Sequence, residues 1–348
     1  DLDDLDWCID QIMPACPAYL MALPTKNDPM LSYLTTAFQD HVRIRETFGA
    51  KVNDRMWQFF QELGVLDAEG RPTEHFGQPT WVYLQYRRRR QDPRSDAEIL
   101  AEGRRKIDEV RRRGVPIAEG FGKRSWDLEP ALDRRVRQLY VDSKKCIWAE
   151  LPESFEAGVP GAMAVRTQSQ DRHDYVLHPP TGEQLDRASV QQVRQLRGAH
   201  AGAYDAQIVV SDGLNAIAVA DPRRLAPYLG RLREELTAAG YAPAPETLIV
   251  RSGRVRAGYR IGELLYGASE EDDRPRAILH VIGERPGSGH HAFSVYLTAA
   301  EPQTWAKPGT VDHDITRVIS GIAETALRPE LAAEQTVAIL RQLAPVGV

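Results

Sequence analysis

The chain has 348 residues, enough for two domains and a substantial buried core. Its composition is 42% hydrophobic and 27% charged, and its net charge of -5 gives no general attraction to nucleic acid. No apolar run reaches the roughly 18 residues of a membrane-spanning helix. Cys8, Cys16 and Cys146 are too few for a disulfide framework and lack zinc-site spacing, so we expect a reducing cytoplasm.

The first 80 residues are predicted to be helical apart from one strand. Apolar side chains recur at helical spacing in residues 4–15 and 30–47, and Asn53 or Asp54 caps a third helix. Between the first two helices, AYLMALP (18–24) predicts a short buried strand. One strand cannot close a sheet, so the segment is typical of the end of a larger α/β structure.

Residues 81–115 are rich in arginine. They hold eleven basic and six acidic side chains, a net charge of +5. A basic run of this kind predicts either nucleic-acid binding or a solvated helical junction with i,i+4 ion pairs. The acids alternate with the bases and no stacking aromatics follow, which favours the junction.

Strands and helices alternate in the rest of the chain. Residues 116–175 are predicted to be mainly helical, and residues 176–348 form the α/β part. Predicted strands begin near Ala206, Thr247 and Ala277, and leucines recur at helical spacing between the first two of them. The predicted fold class is therefore α/β: a doubly wound, mainly parallel sheet with a helical N-terminal part.

Three loops follow these strands, and each combines glycine with polar or charged groups: residues 211–214, 251–255 and 283–287. The ends of parallel strands share one edge of the sheet, where ligands of open α/β sheets bind. We therefore expect the loops to converge on one site, with Glu284 facing a ligand or fixing a neighbouring loop. That Glu284 and Arg285 are simply paired loop charges is an equally open alternative.

Other familiar site patterns are missing from the sequence. It contains no G-x-G-x-x-G, no Walker loop and no H-E-x-x-H, so neither a common nucleotide fingerprint nor a zincin site is predicted. The His290–His291 pair has no cysteine or acidic cluster beside it in the sequence, which favours a surface or interface position over a metal site.

Several motifs resemble one enzyme family. VVSDGLNAIAV, VRSGRV, IGELL and VIGERPG, in this order and spacing, resemble the small (light) subunit of ethanolamine ammonia-lyase. YLMALPTKNDPMLSYLTTAFQDHVRIRETFG followed by FQELGVLDAEGRPT resembles the C-terminal end of its large (heavy) subunit. We therefore expect a heavy–light fusion that lacks the N-terminal part of the heavy chain.

The resemblance implies an ammonia-lyase that uses adenosylcobalamin to convert ethanolamine to acetaldehyde and ammonia by radical chemistry. Residues 1–80 would be the C-terminal remnant of a TIM-type barrel that carries the substrate site. Residues 81–115 would join it to the light-subunit region, whose domain at 176–348 binds the cobalamin. The partners implied are ethanolamine, the heavy-subunit barrel and further copies in a hetero- or homo-oligomer. We expect the chain alone to be inactive.

The resemblance also implies cobalamin contacts, residue by residue. Met30 matches a contact in the heavy chain, and Val255 and Glu284 match contacts in the light chain. A third light-chain contact is a cysteine in the family, and here Val318 takes its place if one residue is inserted, or Arg317 if none is. No catalytic residue and no metal ligand is predicted, because the family's substrate-binding groups precede Asp1.

A second hypothesis is a non-enzymatic α/β binding module whose basic arm contacts nucleic acid or a regulatory partner. It explains the arginine run but not the three loops. The resemblance further implies that some members reside in protein-shelled microcompartments, addressed by the free N-terminus of the light subunit. Because that terminus is fused here, the cytoplasm is the expected location.

Overall fold

The structure, a computed structural model, describes residues 2–22, 36–114, 117–267, 273–284, 291–324 and 326–345. The chain divides into two compact units, the first ending at Asp142 and the second beginning at Ser143. Among the described residues, no helix combines the length and the apolar character that crossing a membrane requires.

The described elements of the first unit are helices: α1 (Leu2–Ile12), α2 (Phe38–Phe48), α3 (Asp54–Glu62), α4 (Pro79–Arg89), α5 (Asp96–Arg112) and the start of α6 (Pro130–Trp148). The predicted cap of α3 is Asn53, whose side chain accepts a hydrogen bond from the amide of Met56 at 2.9 Å. Gly49 ends α2 in the left-handed region, with φ +66°. The predicted helical character of this part is confirmed.

The strand predicted over residues 18–24 is wrong for its described part. Residues 18–22 lie in neither a helix nor a strand, and the side chains of Tyr19 and Met21 are 83% and 53% exposed. An apolar segment becomes a strand only where neighbouring strands accept and donate its backbone hydrogen bonds. Met30, the predicted heavy-chain contact, lies outside the described residues.

The arginine-rich junction forms ion pairs within its own helices and turn. Asp92 accepts hydrogen bonds from Arg87 and Arg94, and Arg88 pairs with Asp96 at the start of α5. Ser95 caps α5 in a reciprocal arrangement with Glu98. Several of its arginines therefore pair with acids of the same segment, while its role as a junction stays a prediction.

The second unit is built on a six-stranded sheet. Its strands are β1 (Ala162–Arg166), β2 (Ala206–Ser211), β3 (Pro243–Arg251), β4 (Arg276–Gly283), β5 (Phe293–Ala300) and β6 (Thr316–Ile322). The order across the sheet is β1-β3-β2-β4-β5-β6. The first four strands in that order are parallel, and β5 and β6 continue the sheet in antiparallel pairs. The sheet is mixed and mostly parallel.

Helices cover both faces of this sheet: α7 (Arg172–Leu177), α8 (Arg187–His200), α9 (Ala216–Ala220), α10 (Pro222–Ala238), α11 (Val255–Tyr266), α12 (Pro302–Trp305) and α13 (Pro329–Leu343). Alternate strand residues enter two cores, since Ile208 and Val210 pack with α10 and α13 whereas Val209 packs with α8 and α11. The predicted leucines of α10 are all buried: Leu225, Leu229, Leu232 and Leu236.

Three elements differ from the sequence expectation. β1 lies within residues 116–175, the segment predicted to be mainly helical. α11, predicted as the short helix IGELL, begins earlier, at Val255, directly after the loop of β3. β6 is a strand that the sequence does not predict. Its pairing is interrupted because two of its residues, Ser320 and Gly321, oppose the single residue Ser294 of β5, and Gly321 has φ +72°.

Candidate functional site

Three strand ends meet at one edge of the sheet in the second unit. β3, β2 and β4 are adjacent and parallel, and they end at Arg251, Ser211 and Gly283. We call this the C-terminal edge. The amide of Leu214 donates a hydrogen bond to the carbonyl of Gly283 at 3.2 Å. A Cβ at Gly213 would lie 2.3 Å from that carbonyl oxygen, so only glycine lets the two loops approach this closely.

Asp212 connects the loop of β2 to the loop of β3. Its side chain is buried, and its two carboxylate oxygens accept hydrogen bonds from the amides of Ser252 and Gly253, both at 3.1 Å. The guanidinium of Arg172 lies 3.4 Å from the same carboxylate. The described parts of the three predicted loops therefore converge, as expected. Burial raises the pKa of the Asp212 carboxyl to about 6, although Arg172 and the two amides favour its charged form.

Arg172 and Tyr175 extend the site onto α7. Arg172 is 6% exposed, and its Nε donates a hydrogen bond to the carbonyl of Ile147 at 2.7 Å. Its guanidinium lies 4.6 Å from the centre of the Tyr175 ring, and that of Arg254 lies 4.7 Å from the same ring. Neither α7 residue is predicted from the sequence, and Arg172 comes 40 positions before its carboxylate partner, so no local pattern links the two.

Ser211 and His280 form a second polar pair near the C-terminal edge. The hydroxyl oxygen of Ser211 and Nε2 of His280 are 2.5 Å apart, and both side chains are fully buried. Burial lowers the pKa of His280 to about 4, so its ring is neutral at physiological pH. The side chains of Ser211, Asp212 and His280 are all buried and bond to neighbouring groups, so in this structure they hold the C-terminal edge together.

Buried nitrogen donors without a hydrogen-bond partner among the described residues include two on residues that contact Asp212. They are Nη2 of Arg172 and Nδ2 of Asn215, whose backbone amide donates to the carbonyl of Asp212. Buried donors normally have an acceptor, since an unpaired one costs about 1–3 kcal/mol. An oxygen acceptor, from a water molecule or from a ligand, would satisfy each of these donors.

The predicted light-chain contacts occupy different places in the sheet. Val255 is the first residue of α11, and Glu284 follows β4 directly, so both lie at the C-terminal edge and both are half-buried. Val318 lies on the outer strand β6, 43% exposed, and pairs with Tyr296 of β5. Arg317, the alternative to Val318, is also exposed on β6. β5 separates both β6 positions from β4.

His291 has a cysteine beside it in space, which its sequence neighbours do not indicate. Its Nδ1 lies 3.5 Å from the sulfur of Cys146, which is fully buried at the end of α6. The cysteine comes 145 positions earlier, so no local pattern links the two. His290 lies outside the described residues.

Two regions of the chain match known protein families. Residues 115–347 match the ethanolamine ammonia-lyase light chain family (EutC). The chain belongs to this family. Residues 1–75 match the ethanolamine ammonia lyase large subunit (EutB). The prediction that regions of both subunits occur in natural order on one chain is confirmed, and α4 and α5 lie between the two matched regions.

Curated relatives carry the same light-chain description. The ethanolamine ammonia-lyase small subunit of Pseudomonas aeruginosa (strain LESB58) is 33% identical over 182 residues, which cover 52% of this chain and 60% of that protein. The small subunit of Pseudomonas putida (strain GB-1) is 34% identical over 182 residues, covering 52% of this chain and 61% of the relative. The alignments thus span about 60% of the length of these relatives.

Proposed function

We propose that this chain supplies the cobalamin-binding part of an ethanolamine ammonia-lyase, which converts ethanolamine to acetaldehyde and ammonia. The observation that carries the proposal is the light-chain family match over a domain whose three strand-end loops converge at the C-terminal edge. Ligands of open α/β sheets bind at such edges. The chemistry of the enzyme rests on its cofactor: bound adenosylcobalamin supplies the radical by homolysis of its cobalt–carbon bond.

The residues at the C-terminal edge suit a corrin ligand. Cobalamin carries amide side chains and a phosphodiester, so it offers many oxygen acceptors and several N–H donors. The unpartnered donors of Arg172 and Asn215 would bind acceptors of this kind. The carboxylate of Glu284 would accept hydrogen bonds from amide N–H groups, and Val255 would contribute apolar contact at the start of α11.

Further contacts are proposed outside the C-terminal edge. Val318, or Arg317 in its place, would contact the cofactor from β6, where both side chains are exposed. Met30 would contact it from the large-subunit region, with a polarizable thioether against the corrin. We propose no catalytic residue in this chain. The groups that hold ethanolamine would belong to the barrel of the large subunit, the partner with which this chain would assemble into an oligomer.

Absorbance titration with hydroxocobalamin tests the proposal. The spectrum of the corrin should shift on addition of the chain together with a full-length ethanolamine ammonia-lyase large subunit, and more weakly with the chain alone. The large subunit alone, at the same concentration, is the control. If adding the chain leaves the spectrum equal to that with the large subunit alone, the proposal is wrong.

A further inference from the structure

In the turn between β3 and α11, the backbone N–H and C=O groups of Ser252 and Gly253 are all hydrogen-bonded to side chains. Asp212 accepts hydrogen bonds from the amides of Ser252 and Gly253, both at 3.1 Å. The hydroxyl of Thr167 donates to the carbonyl of Ser252 at 3.0 Å, and that of Tyr175 donates to the carbonyl of Gly253 at 3.2 Å. All three of these side chains are more than nine-tenths buried.

The backbone that these bonds hold is strained. Ser252 has φ +56°, in the left-handed region that residues other than glycine seldom adopt. Such a conformation costs about 1–3 kcal/mol and persists only where the surroundings enforce it. The next residue, Gly253, has no space for a side chain, since a Cβ at this position would lie 2.5 Å from the hydroxyl oxygen of Ser211. This turn directs the chain into α11, whose first residue is Val255.

Asp212 is itself fixed from the other side. Nη1 of Arg172 lies 3.4 Å from the carboxylate, and the position of Arg172 is set by the carbonyl of Ile147 and by the ring of Tyr175. The charged groups that face Asp212 are therefore Arg172 on α7 and, at longer range, Arg251 at the end of β3.

We propose that Asp212 is a positioning residue for the cofactor: by holding the strained Ser252–Gly253 turn it presets the N-terminus of α11 and Val255 for the corrin. This inference rests on the proposed function. A turn that only connected β3 to α11 could avoid the strain with glycine at both positions. Ordering this turn before binding would lower the entropic cost of association.

The opposite edge of the sheet provides a matched control. Asp205 precedes β2, and its carboxylate accepts a hydrogen bond from the amide of Ala242 at 3.0 Å, just before β3. It also pairs with the buried guanidinium of Arg276 at 3.2 Å. Asp205 thus ties strand ends together with the same chemistry as Asp212, far from the loops that carry Val255 and Glu284.

The experiment compares Asp212→Asn and Asp205→Asn in the 348-residue chain. Asparagine keeps the volume but presents an NH₂ group where Asp212 accepts from an amide or faces a guanidinium. Hydrogen exchange at the amides of Ser252 and Gly253 should be about tenfold faster or more in Asp212→Asn and unchanged in Asp205→Asn. Hydroxocobalamin affinity, with the large subunit present, should fall about tenfold in Asp212→Asn alone. If Asp212 had only a general structural role, both variants would lose the same hydroxocobalamin affinity.

Each outcome is decisive. Unchanged exchange at the two amides in Asp212→Asn overturns the proposal, and so does faster exchange with unchanged hydroxocobalamin affinity. If the wild-type chain binds no hydroxocobalamin, the proposed function fails, whereas the exchange rates still show whether Asp212 holds the turn. Should Asp212→Asn not fold, Tyr175→Phe removes the bond to Gly253 and keeps the ring. It should weaken binding about threefold, and unchanged affinity there also overturns the proposal.

Discussion

Glu284 places a carboxylate directly after a buried strand. Its backbone amide donates to the carbonyl of Ala292 at 3.0 Å, which continues the pairing of β4 with β5 by one residue. Its side chain is half-buried, and the described residues offer no hydrogen-bond donor to its carboxylate. Arg285 lies outside the described residues, and the simple loop ion pair stays a prediction of the sequence.

If Glu284 binds the cofactor, Glu284→Ala should weaken hydroxocobalamin binding by about 1–3 kcal/mol, because ligand N–H groups would lose their acceptor. The measurement is the absorbance titration with the large subunit present. Glu284→Gln is the control, since it retains one acceptor oxygen and should lose less affinity than the alanine variant. Equal affinity of Glu284→Ala and the wild-type protein would show that the side chain does not contact the corrin.

Asp212 should also influence stability in a defined pH range. Its pKa is raised from 3.8 to about 6 in the folded protein, so the folded state binds this proton more tightly than the unfolded state. The resulting stabilisation is fully present below pH 3.8 and is lost as the pH rises through about 6. The wild-type protein should therefore gain stability relative to Asp212→Asn as the pH falls from 7 to 4, at about 1.4 kcal/mol per pH unit between the two pKa values.

Urea unfolding of both proteins at several pH values between 4 and 7 measures this difference. His280 acts with the opposite sign, because burial lowers its pKa to about 4 and its contribution is lost as the pH falls. Both proteins contain His280, so the comparison cancels its effect. A difference in unfolding free energy that stays constant across this range would mean that Asp212 keeps an ordinary pKa.

At the scale of single elements, α10 and α11 show what the sequence does and does not reveal. The leucine spacing of α10 predicts its buried face correctly, because each contact is made by a large apolar side chain. α11 approaches its neighbours through Gly258 and Gly262 instead, where an added Cβ would lie 2.5 Å from the His280 ring and 2.3 Å from the Trp305 ring. Glycines do not contribute to an apolar periodicity, so the length of this helix was not predictable from its pattern.

The close approach of α11 makes Gly262→Ala destabilising. Trp305 is fully buried, and its indole N–H donates to the carbonyl of Arg276 at 3.1 Å, so its ring has little freedom to move. We expect a loss of about 1–3 kcal/mol from overpacking, in spite of the better helix propensity of alanine. Gly230→Ala in α10, where a Cβ would meet nothing within 4 Å, should instead stabilise the protein by up to about 1 kcal/mol. Thermal or urea unfolding compares the two, and similar effects would refute the steric argument.

At the scale of the whole molecule, the family and the loop convergence could be predicted, but the outer strands of the sheet could not. β2, β3 and β4 each contain a short apolar run that is buried, as the rule for buried parallel strands predicts. Buried and exposed residues do not alternate regularly along β6, because the irregularity at Gly321 shifts its register. The strand is therefore recognised from its pairing with β5 and not from its sequence pattern. The Arg172–Asp212 pair shows the same limit, since two residues 40 positions apart meet only through the folded sheet.

The extents of the two matched regions lead to a prediction about acetaldehyde formation. The light-chain match covers most of the chain, whereas the large-subunit match covers residues 1–75, and the side chains of Ser211, Asp212 and His280 at the C-terminal edge are buried. With adenosylcobalamin and ethanolamine, the 348-residue chain alone should form no acetaldehyde. Addition of a full-length large subunit should produce acetaldehyde, measured by coupled oxidation of NADH.

Two controls make this assay specific for the chain. The large subunit alone should be inactive, and hydroxocobalamin in place of adenosylcobalamin should give no product, because it has no adenosyl group from which the radical can form. Acetaldehyde from the chain alone would show that residues within it bind and convert ethanolamine. A mixture that binds cobalamin yet forms no acetaldehyde would limit the role of this chain to holding the cofactor.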